Sequence, residues 1–115
     1  MYEIELLIDG EKKKFIRNEA PMLGDLTRAL KIQQHQVAWY TSETGPTDEQ
    51  IDTNTKELAE FAVNFWNKQF KYQQVINGLP ADQVDEINEI VLETLGQNED
   101  SDDEDSAEDT DEEKN

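Results

Sequence analysis

The 115-residue chain has no cysteine, which excludes disulfides, zinc–thiolate sites and thiol nucleophiles. Its single histidine, His35, is flanked by Gln33, Gln34 and Gln36. With no partner in the sequence, it reads as a half-packed helix residue rather than a catalytic base. No apolar run approaches the ~18 residues that span a bilayer. The opening MYEIELLIDGEKKK lacks a basic region followed by an apolar one, so no signal peptide is expected. Basic residues are scarce, 10 against 28 acidic, for a net charge of −18. That sign disfavours nucleic-acid backbones and anionic membrane surfaces as partners. The expectation is a soluble intracellular protein that binds neither nucleic acid nor membrane.

Catalytic signatures are also missing. Ser42, Ser101 and Ser106 lie outside any Gly-x-Ser-x-Gly context. Carboxylate pairs are too common here for any one to mark acid–base chemistry. Asp52, Asn54 and Glu57 resemble the start of a calcium loop, but the glycine it requires is absent, with Lys56 and Glu57 in its place. No enzyme activity, cofactor or metal is expected.

The charge is unevenly placed. Eleven of the acidic residues and one lysine lie from Gln97 onward, a net of −10, which leaves −8 on the first 96 residues. Residues 97–115 hold one alanine and no other apolar side chain, so they read as a disordered acidic tail. Residues 1–96 read as a single folded domain.

Within that domain Tyr2, Ile4, Leu6 and Ile8 recur with the period of a half-buried strand. Asp9-Gly10 suits a two-residue turn, and Glu11 to Arg17 returns, with Phe15 as the inward anchor. Such a hairpin is marginal alone and must lie on something apolar. Lys12, Lys13 and Lys14 read as a solvated strand face. Pro21 is placed to open a first long helix, with Leu23, Leu26, Leu30, Ile32 and Val37 as its apolar stripe. Gly45 and Pro46 break it after Trp39 and Tyr40. Thr47 and Gln50 form a capping box for a second long helix carrying Ile51, Leu58, Phe61, Ala62 and Phe65, with Thr53 or Thr55 as alternative starts. Gly78 is placed to close a short helix in the left-handed conformation, with Leu79 folding back and Pro80 opening the last helix. Val84, Ile87, Val91 and Leu95 give that helix its stripe, and Gly96 ends it.

The fold class is therefore α+β and mostly helical. An N-terminal β-hairpin packs on a small bundle of two long helices, a short helix and a final amphipathic helix. Phe61 and Phe65 occupy the stripe of the second helix, which leaves Trp66 off it. Trp66, Phe70, Tyr72 and Trp39 are thus candidates for a partner-binding or self-associating apolar patch. The plainer alternative is that the hairpin covers the tryptophans.

One resemblance rests on particular residues. Phe65, Trp66, Asn67, Lys68, Gln69 and Phe70 precede a short helix ending Ile76, Asn77, Gly78, Leu79, all after a hairpin and two helices. This resembles the tail assembly chaperones of long-tailed phages of Gram-positive bacteria, over about Tyr2 to Leu95. The short helix departs from the pattern, with Lys71, Tyr72, Gln73 and Gln74 where a Ser or Thr cap and acidic residues are usual. The resemblance implies a non-enzymatic morphogenesis factor that binds and solubilises the tape-measure protein and helps recruit the tail-tube protein. It would act in the host cytoplasm and be absent from the mature virion. Client shielding also raises the prospect of a homo-oligomer. The competing class is an acidic DNA mimic or basic-protein chaperone, in which the tail itself is the ligand.

Overall fold

Alternation and the Asp-Gly turn produce the hairpin as read. In the computed structural model, which describes residues 1–96, β1 (Tyr2–Ile8) pairs antiparallel with β2 (Glu11–Arg17), Tyr2 facing Arg17 and Ile8 facing Glu11. Asp9 and Gly10 take φ of 53° and 80°, the pair of positive angles such a turn needs. Ile4 and Leu6 turn into the core, while Phe15 packs half-buried against the ring of Phe70, 4.9 Å between centroids. Lys14 and Glu3 pair at 3.4 Å in open solvent and contribute little.

Four helices follow: α1 (Leu23–Tyr40), α2 (Asp48–Phe65), α3 (Tyr72–Gly78) and α4 (Val84–Thr94), the last entered through a 3₁₀ turn at Ala81–Gln83. The capping box fixes the start of α2: the Gln50 N–H donates to Thr47 Oγ1 at 3.1 Å, and the Thr47 N–H to Gln50 Oε1 at 2.9 Å. The later threonines therefore lie inside the helix. So do Asp52, Asn54 and Glu57, in no ligand loop. The first helix begins beyond Pro21, because Met22 takes the N-cap and its N–H donates to the Asp25 carboxylate at 2.8 Å. In α3, Lys71 has no side-chain oxygen with which to cap. Gln74 supplies the acceptor from within the helix, taking the Lys71 N–H at 2.8 Å. α1 packs on α2 and α4, and α3 on β1 and α2.

The stripe read for α1 is out of phase. Leu23, Leu30 and Val37 are 76%, 51% and 58% exposed; of the stripe only Ile32 is fully buried, and Asp25 and Ala29 turn inward with it. Arg17 sets this phase. Its guanidinium, buried at the end of β2, meets Asp25 at 3.0 Å, and a buried charge needs a partner more than a leucine needs cover. Ile51, read as part of the α2 stripe, is also exposed.

Gly78 is a second correction. It stays out of the left-handed region, which Gly10, Gly45 and Gly96 occupy. Its use is close approach: a Cβ there would stand 2.5 Å from the Leu7 carbonyl oxygen and 3.2 Å from its nitrogen. Both neighbours are backbone of β1 and cannot swing aside. Gly78→Ala is expected to destabilise the domain by about 2 kcal/mol, despite the better helix propensity of alanine. A thermal melt should show a fall of roughly 10 °C. An unchanged midpoint would mean that α3 can lift off β1 freely.

Candidate functional site

The four aromatics do not form one surface. Trp66 stands at the C-cap of α2, where the helical stripe no longer dictates direction, and is 1% exposed. Its indole N–H donates to the Tyr2 carbonyl at 3.2 Å, and its ring meets Phe65 edge-on at 5.1 Å. Asn67 and Lys68 both adopt φ of 60°, and the Lys68 N–H donates to the Val63 carbonyl at 2.8 Å. This left-handed turn reverses the chain and brings Phe70 back beneath the hairpin, where it too is buried. The hairpin covers both rings, so neither side chain is open to a partner in the folded chain.

Trp39 and Tyr72 lie elsewhere. Trp39 is half-buried and stacks on His35, with centroids 4.7 Å apart and planes 10° from parallel. His35 Nδ1 lies 2.6 Å from Glu57 Oε2, so the lone histidine has a partner on α2 that its neighbours in sequence did not reveal. Tyr72 is 36% exposed at the start of α3, one turn before Ile76 at 37%.

Ile76 leads into a groove. Leu58 of α2, Val75 and Ile76 of α3, Leu79, and Val84 and Ile87 of α4 line an apolar cleft of about 150 Å³. Ile51, exposed one turn before the groove residue Thr55, extends its α2 wall. Apart from Thr55, every residue that lines this cleft has an apolar side chain. What it offers is apolar contact for a side chain or two of a partner. The i, i+4 pair Tyr72 and Ile76 was the signal available in the sequence, but the short helix was too brief to show a stripe.

A second concavity is wide and acidic. Glu3, Glu86, Glu89 and Glu93 surround Tyr2 in a space of about 480 Å³. Burial pushes the Tyr2 phenol up from its ordinary value, and the Glu93 carboxylate beside it adds to the rise. Among the described residues no group of three or more His, Asp or Glu side chains is placed to hold a metal ion. No described helix is long and apolar enough to cross a membrane.

The family described as phage tail chaperone protein matches residues 1–115. No curated protein and no solved structure matches the chain.

Proposed function

The chain belongs to the phage tail chaperone family, and from that premise we propose that it binds the tape-measure protein, keeps it soluble and helps recruit tail-tube subunits. The observation that carries this reading is the open apolar groove between α2, α3 and α4, flanked by Ile51, Ile76 and Tyr72. A long helical client exposes repeating apolar side chains, and a cleft of this size takes one or two of them at a time. The chain's net charge of −18 keeps the assembled complex charged and dispersed. Shielding of this kind breaks no bond, so the proposed role is non-enzymatic. It belongs in the host cytoplasm during assembly and ends before the virion is complete.

The test separates this role from that of a polyanion acting through residues 97–115, which lie outside the described residues. Pull-down with the tape-measure protein is compared for the full chain, a chain ending at Gly96, and full-length Ile76→Asp, each at two salt concentrations. The truncated chain is expected to bind nearly as well as the full one. Ile76→Asp is expected to lose about 30-fold in affinity, the effect of removing one buried anchor. If truncation abolishes binding and the full-chain interaction collapses with salt, the basic-protein chaperone is the correct reading.

A further inference from the structure

The large apolar residues that α1 leaves exposed are not scattered, and with half-buried Leu26 and Gln33 they form one row. Leu23, Leu26, Leu30, Gln33, Val37 and Tyr40 follow one another at spacings of three, four, three, four and three. That is the spacing of the a and d positions of a heptad repeat, which produces a seam for a second helix. Leu23, Leu30, Val37 and Tyr40 are all substantially exposed, and Leu26 is half-buried at the edge of the seam. The inward face of the same helix, Asp25, Ala29 and Ile32, points elsewhere, so α1 carries two separate contact faces. Leu92 of α4, 41% exposed, borders Gln33 and Tyr40 and widens the seam at one end.

Charge identifies the occupant. Over its 18 residues α1 holds one acidic residue, Asp25, and two basic ones, Arg28 and Lys31. By contrast, α2 carries five acidic residues against one lysine, and α4 carries four with no basic residue. Two copies brought together through α2 or α4 would set carboxylates against carboxylates. On the solvent side the seam is flanked by Thr27 and Gln34, both uncharged, while Ala29 and Gln36 on its other flank turn toward α2 and α4, so a second acidic copy meets no repulsion there. The spacing is also self-complementary. In an antiparallel pair Leu23 faces the other copy's Tyr40, Leu26 its Val37, and Leu30 its Gln33, with every layer repeated by the two-fold axis. We infer that a second copy of this chain docks on the α1 seam as an antiparallel, two-fold homodimer. A single pair of helices about 27 Å long makes a contact at the small end of specific interfaces, so the dimer forms as concentration rises. This surface lies apart from the α2–α3–α4 groove, and its failure would leave the client reading standing.

Sedimentation velocity over a concentration series tests the dimer on the full chain. The wild type is expected to pass from monomer to dimer. Leu30→Glu, counted twice by symmetry, should raise the dissociation constant by at least about 100-fold with the far-UV circular dichroism unchanged, since Leu30 is 51% exposed and lies outside the buried core. The absence of cysteine allows the register to be read directly. In Leu26→Cys/Val37→Cys the two thiols of one chain are about 16 Å apart along the helix, too far for an internal disulfide. Mild oxidation should therefore yield a covalent dimer, and Leu23→Cys alone should yield none. A wild type that stays monomeric throughout, or a Leu30→Glu variant that dimerises as well as wild type, would overturn the proposal. So would efficient cross-linking of Leu23→Cys, which requires a parallel pair.

Discussion

Trp66→Ala is expected to lower the stability of the domain by about 3–5 kcal/mol, the cost of emptying a fully buried aromatic site. The ring is 1% exposed, touches Phe65 and Phe70, and is held by the Tyr2 carbonyl. Removing it leaves a void beneath the hairpin and strips Tyr2 of its donor. For a domain of this size the melting temperature should fall by 15 °C or more. Far-UV circular dichroism during heating is the measurement. If the variant melts like the wild type but binds its client poorly, Trp66 is a surface residue in solution, and the burial described above is wrong.

The second large effect is expected at Asp25. Its carboxylate meets Arg17 at 3.0 Å and Arg28 at 3.6 Å and accepts the Met22 N–H at the start of α1. Arg17 in turn donates to the carbonyls of Phe65 at 2.7 Å and of Glu19 and Ala20, and lies over the Phe65 ring at 4.3 Å. One guanidinium thus ties β2, the turn after it, α1 and the end of α2. Asp25→Ala leaves that buried cation only the solvent-exposed Glu19 carboxylate, 3.5 Å from its Nε, which costs about 3–5 kcal/mol. Asp25→Asn keeps an acceptor for Met22 and should lose less. Replacing both partners, Arg17→Met with Asp25→Leu, should recover much of the loss, because no charge then remains to desolvate. Urea midpoints of the four proteins decide it. A single Asp25→Ala cost below about 1 kcal/mol would show that water reaches the pair.

The same ion pair explains what the sequence concealed. A count of hydrophobic residues turns Leu23, Leu30 and Val37 inward, because they are the largest apolar side chains on α1. The inward direction was decided instead by Arg17, which lies on a strand and whose burial no helical periodicity encodes. The hairpin was legible in full, since alternation and Asp-Gly are local and its register follows from the turn. So was α2, whose cap is a local pair. Trp66 became a surface candidate because it was placed on a helical wheel one residue past the point where the helix stops; the alternative, that the hairpin covers it, is the one its burial matches. Gly78 was correctly marked as a position needing glycine, but sequence alone cannot separate a positive φ from a close approach. The groove at Ile76 depends on how α3 and α4 meet α2, a tertiary matter, so only its flanking pair could have been seen in advance.

The bond from Trp66 to Tyr2, spanning 64 residues, also orders events during translation. β1 leaves the ribosome first, yet what buries it, Trp66, Val75 and the chain at Gly78, belongs to the second half of the chain. At about 5–20 residues per second, Ile4 and Leu6 wait roughly 4–15 s before Gly78 is even synthesised. A lone hairpin cannot fold stably in that interval. The nascent chain therefore closes nearly all at once as its final helices emerge. A polypeptide stalled before Trp66 would leave the ribosome with its own apolar strand face uncovered, and would itself need shielding.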